Sequence, residues 1–244
     1  MNLWIVLGAG IAGWLIGYVA NWAADVLPWR TLRAAPNAGD AVNDAAAGDL
    51  TGEVTSEATG DVTGDAPTFA ARRWTHRPRL LHAALALAFA VTAWLFWPDW
   101  VRVAVGCLYV VFFLTVLVID YEHRRVLNVM LLPAAAIALG LSFLPQTPPD
   151  PMNALVGGGV GLGLFALVFI LSRGHLGMGD VKLAGVIGLM LGYPGVVNAL
   201  MAGILMGAAA AIFLLATRRA TRKSYMAYAP YLALGALVVM WWNW

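Results

Sequence analysis

The 244-residue chain has a single cysteine, Cys107, four histidines, and charged residues at only 11% of positions. One cysteine excludes an internal disulfide and any zinc site built on cysteines. The histidines His76, His82, His123 and His175 show no metal-ligand spacing, and no P-loop or Ser-His-Asp set is present. A soluble domain carries roughly 25% charged residues. The shortage here is matched by 61% hydrophobic residues gathered in long apolar runs. The composition predicts an all-α, polytopic membrane protein in contact with lipid, not with nucleic acid.

Crossing the hydrocarbon takes about 20 apolar residues. Eight candidate spans are predicted, near 3–24, 80–97, 101–119, 126–144, 153–172, 181–193, 198–217 and 226–244. The sixth is short, and is compatible with a re-entrant segment. No Lys or Arg precedes Leu3, so the start reads as a retained first span and not as a cleaved signal. With eight crossings and both termini outside, 14 of the 15 Lys and Arg residues fall on inner connections, leaving Arg102 outside. That arrangement puts Asp120, at the end of the third span, and Asp180, at the start of the sixth, at the cytoplasmic edge.

Three parts are expected: a first span over 1–28, a cytoplasmic loop over 29–79, and a transmembrane core over 80–244. Residues 37–68 of the loop are Ala, Gly, Thr and acids, holding seven of the thirteen Asp and Glu residues. With little to bury, this stretch is predicted to be flexible and solvated. Pairs of glycines four apart (Gly13/Gly17, Gly157/Gly161, Gly159/Gly163, Gly203/Gly207) predict close helix contacts. Trp241, Trp242 and Trp244 suit an interfacial belt.

Two polar breaks stand out. In Gly177-Met178-Gly179-Asp180-Val181-Lys182 an acid follows two glycines between apolar runs. An ordinary account makes Asp180 a helix N-cap, Asp120 a helix-end charge paired with Arg124, and Glu122 and His123 a solvated face. Lys182 then reads either as an inner-face anchor or as a counter-charge to Asp180. The cap account leaves Gly177 and Gly179 unexplained. They add backbone freedom and remove bulk beside the acid, as a site admitting a peptide backbone requires. Two such carboxyls brought close would share a proton, one activating water and the other polarising a carbonyl. In a transporter the same pair would be an ion relay.

At these residues the chain resembles the prepilin peptidases (type IV leader peptidases), bacterial members of the GxGD group of membrane aspartyl proteases. Gly177–Leu183 is similar to that family's second catalytic motif, and Ile119-Asp120 with Arg124, Arg125 and Val126-Leu127-Asn128 to its first. Ala229–Gly235 resembles the C-terminal motif, and Gly17–Asn21 with Pro28 the N-terminal one. The resemblance implies that Asp120 and Asp180 are the catalytic pair, with Gly177, Gly179 and Lys182 supporting. It also implies location in a bacterial inner membrane, a site facing the cytoplasm, and substrates that are precursors of type IV pilins or type II secretion pseudopilins. Many members carry two Cys-x-x-Cys pairs in the first cytoplasmic loop, bind zinc there and N-methylate the product. This loop has no cysteine, which counts against zinc and against methyl transfer; no cofactor is expected. Ala229 and Tyr18 also replace a Gly and a Ser of the family pattern. The alternative kept beside the peptidase is a secondary transporter or proton-coupled permease using Asp120 and Asp180 as its relay.

Overall fold

The computed structural model describes residues 3–33, 77–123, 128–172, 177–217 and 228–244. The acidic stretch 37–68, Arg124, Arg125 and His175 lie outside the described residues, as do the side chains of Glu122 and His123. The described chain is all-helical. Its elements are α1 (Leu3–Arg33), α2 (Arg77–Phe96), α3 (Trp100–His123), α4 (Asn128–Leu141), α5 (Pro151–Leu171), α6 (Met178–Leu191), α7 (Gly195–Ala216) and α8 (Ala229–Asn243).

Five of these are long and apolar enough to cross a membrane: α1, α2, α3, α5 and α7. α4 and α6 have 14 residues each and α8 has 15. At 1.5 Å per residue they reach only about 21–23 Å against a hydrocarbon core of about 30 Å. Two of the short helices are interior ones. Nine residues of α6 are buried, Val181 through Leu191, and nine of α8, Ala229 through Met240. Protein surrounds much of their surface, so their length need not match the bilayer. α1, α5 and α7 instead leave most of their apolar surface outward.

The helix seams follow the small residues. α1 packs along α2 with Gly13 against the Leu85 backbone and Gly17 against the His82 ring. α5 and α6 meet at Gly157, Gly161 and Gly188. A side chain on Gly157 would strike the Gly188 carbonyl, and one on Gly161 the Ala184 carbonyl. Gly203 of α7 lies against the Leu232 backbone of α8. The packing expectation fails for Gly159/Gly163, which have nothing within 4 Å. These two sit on the opposite side of α5 from its seam, because residues two apart on a helix are rotated by about 200°.

One end of the bundle is tied by hydrogen bonds. Asp99 caps α3 by accepting from the Arg102 N–H at 3.3 Å. The Arg102 guanidinium pairs with Asp99 at 3.1 Å and donates to the carbonyls of Gln146 and Trp244, each at 3.2 Å. Asp150 caps α5, with Pro151 following as its first residue. Asn153 accepts from the Tyr193 N–H at 2.8 Å. Gly192 closes α6 at φ +66, where a side chain would also press on Pro149 and Asn153. The tryptophan belt is reduced to Trp242, which is exposed. Trp241 turns inward and donates to Thr92 at 3.0 Å, and Trp244 packs on Phe96 and Tyr109.

Candidate active site

Because α3 starts at the tied end and α8 finishes there, Asp120 and Tyr228 lie at the other end. α6 finishes at the tied end through Gly192 and Tyr193, so its start, with Asp180, is also at the far end. The two aspartates therefore share one end of the bundle. Among the Lys and Arg residues whose side chains are described, Arg79 and Lys182 belong to this end and Arg102 to the other. Arg79 is placed by α2, which runs antiparallel to α1 from the Gly17–His82 contact.

Asp120 is buried, with 4% of its surface exposed. Its neighbour Ile119 packs on Ala24 of α1, and Val118 and Met130 close the same small cluster. Three elements, α1, α3 and the first turn of α4, thus meet around Ile119, one residue before the acid. At 4% exposure little water reaches the acid.

Asp180 is half-buried and occupies the third position of α6. The helix cap is Gly177, so Asp180 is not the N-cap that the ordinary account makes it. Its carboxylate reaches back and accepts from the Gly177 N–H, an arrangement that satisfies a free donor at the helix start. Burial pushes its carboxyl up from 3.8 to about 6, against the opposing pull of that hydrogen bond. Gly177 itself has φ −69 and ψ 135, which any residue adopts. Its lack of a side chain matters for space. The first atom a Cβ there would meet is the Asp180 Oδ2, at 3.4 Å. Gly179 is the second helical residue, and Lys182 is exposed. The influences on Asp180 are burial and Gly177, not the Lys182 charge.

α3 and α6 do not share a packed seam of their own; α8 packs against both. Its first turn supplies two tyrosines that the motifs did not single out as site residues. Tyr228 feels the charge of Asp180, and Tyr231 lies within electrostatic range of Tyr121, the residue after Asp120. The only sequence signal for Tyr228 is that it immediately precedes the Ala229–Gly235 motif. Among the described residues, no three His, Cys, Asp or Glu side chains gather as a metal-ligand set.

Residues 107–212 match the model of the type IV leader peptidase family. A curated relative, the prepilin leader peptidase/N-methyltransferase of Bacillus subtilis (strain 168), is 28% identical over 170 residues. That match covers 67% of this chain and 66% of the relative, just under two thirds of its length. No solved structure matches. The segment 107–212, which carries both Asp120 and Asp180, is thus similar to the type IV leader peptidase family.

Proposed function

We propose that this protein is an aspartic endopeptidase that removes the leader from type IV prepilins or pseudopilin-like precursors, with Asp120 and Asp180 as its catalytic pair. The reading is supported above all by the common end of the bundle at which a buried and a half-buried carboxyl group are found. The similarity of residues 107–212 to the type IV leader peptidase family supports the substrate class.

The chemistry follows from the two environments. Two carboxyls in a desolvated site do not both ionise cheaply, so the pair holds one proton. The ionised member takes a proton from water as that water attacks the scissile carbonyl. The protonated member donates to the carbonyl oxygen and stabilises the developing oxyanion. Collapse of the tetrahedral intermediate returns the proton to the leaving amine. The titration belongs to the pair, so neither acid nor base is assigned to one residue. The clear space over Gly177 suits the approach of an extended peptide backbone. Lys182, exposed beside the site, suits an anchor at the membrane surface. We further propose that this end faces the cytoplasm, since Arg79 and Lys182 lie on it.

A proton-coupled permease is less well supported, because transporter sites generally lie near the bilayer midplane and these acids lie at one end. The test is co-expression with a pilin precursor and mass spectrometry of the product. Asp120→Asn and Asp180→Asn should each leave the precursor uncut while the protein still inserts. Full cleavage by either variant would overturn the assignment. The same spectrum reads any methyl group on the new N-terminus, and an unmethylated product is the expected result.

A further inference from the structure

The first turn of α8 contains a tyrosine that the proposed chemistry has not used. Tyr228 caps that helix through its backbone. Its carbonyl accepts from the N–H groups of Tyr231 and Leu232 at 3.1 and 3.3 Å. Its ring lies over Gly207 of α7. A Cβ at that position would stand 3.4 Å from the ring Cε2 and 3.6 Å from Cζ, the carbon bearing the hydroxyl. The ring is thus held by packing. Among the described residues its hydroxyl makes no hydrogen bond, although a phenol can both donate and accept.

α6 and α8 pack on each other and both begin at the aspartate end, so Tyr228 and Asp180 stand in adjacent first turns. We propose that Tyr228 is a positioning residue, its hydroxyl donating to the Asp180 carboxylate whenever that residue carries the charge of the pair. This deepens the aspartic-peptidase reading and rests on it. The donation would fix the carboxylate's orientation toward water and favour its charged form. The electrostatics agree. Burial and the charge of Asp180 both oppose ionisation of Tyr228, which keeps the phenol in its donating form.

Few other groups compete. On α6 the nearby charge is Lys182, which is exposed. α3 brings Asp120 and Tyr121, and α8 adds Tyr231 beside Tyr121. α4, α5 and α7 carry no titratable side chain within their helices. The effect of removing the Tyr228 hydroxyl is therefore separable from the rest.

The experiment uses the full-length protein in lipid and two readouts: the pH profile of leader cleavage, and infrared titration of the Asp180 carboxyl band, identified by its absence in Asp180→Asn. Tyr228→Phe keeps the ring on Gly207 and loses only the donor. The Asp180 midpoint should rise by about 0.5–1 pH unit. The acid limb of the cleavage profile should move with it, and kcat at pH 6 should fall severalfold at unchanged KM. Replacing Tyr228 by 3,5-difluorotyrosine, a stronger donor of nearly the same shape, should move the midpoint the other way. Midpoints that stay at the wild-type value in both variants would overturn the proposal. If Asp180→Asn still cleaves, the peptidase assignment fails instead, and the band shift reports on the Tyr228–Asp180 contact alone.

Discussion

The two ends of the helical bundle are built on opposite principles. At one end Arg102, Asp150, Asn153 and Gly192 stitch loop to helix and helix to C-terminus with hydrogen bonds and a close backbone approach. At the other, a buried acid and a half-buried acid sit where helices converge without a direct seam between their own two helices. Polar groups at the first end are spent on one another. The two acids at the second are held largely out of water, where charge is costly. The contrast is between an end closed by hydrogen bonds among its loops and an end that keeps two acids largely out of water.

The largest effects should separate the ends by what they lose. Asp120→Asn and Asp180→Asn should each lower the cleavage rate by at least about 10²–10⁴ with no loss of thermal stability in detergent. A drop in melting temperature matching the drop in rate would blur the contrast. Next comes the seam between α5 and α6, on which both ends depend. Gly188→Ala pushes a methyl into the Gly157 backbone and should cost about 1–3 kcal/mol, read by thermal unfolding. Arg102→Ala removes the tie to the Gln146 and Trp244 carbonyls and should cost about 1–2 kcal/mol while cleavage stays within twofold of wild type.

A pH comparison sharpens the same point. The carboxyl of Asp180 is raised from 3.8 to about 6 in the folded protein. Its contribution to stability is thus complete below the lower value and is lost as pH rises through the higher one. Asp180→Asn cannot ionise and escapes that loss. The variant should melt above wild type at pH 8, with the gap closing below about pH 4. Equal melting temperatures at pH 8 would mean that ionisation at this site costs the fold nothing. The smallest effect is expected on the open side of α5, where Gly159→Ala and Gly163→Ala should change stability by no more than about 1 kcal/mol, in the stabilising direction.

The glycine pairs show where pattern reading stops. Gly157/Gly161 and Gly159/Gly163 have the same spacing on the same helix. Only the first pair is a seam, because only that side of α5 meets α6. Nothing local to α5 distinguishes the two sides, since both are apolar all round. The acid at 180 shows a finer version of this limit. A polar residue at a helix start reads as a cap, yet the chain breaks at Gly177 and the carboxylate closes the turn from inside. Three residues separate the two readings, and backbone geometry decides between them. The three short helices were all counted among the eight candidate spans. Hydropathy finds apolar runs, but two of these helices are shielded by protein more than by lipid.

The number and polarity of the apolar runs, the missing cysteines, and the two acids after polar breaks were settled by the amino-acid order itself, because hydropathy and covalent spacing are local properties. The location of Asp120 and Asp180 at one end, the shielding of Asp180, and the placing of the Tyr228 ring over Gly207 came only with the tertiary fold. They depend on which faces pack together, and in a chain apolar on every side that choice is made by the neighbours.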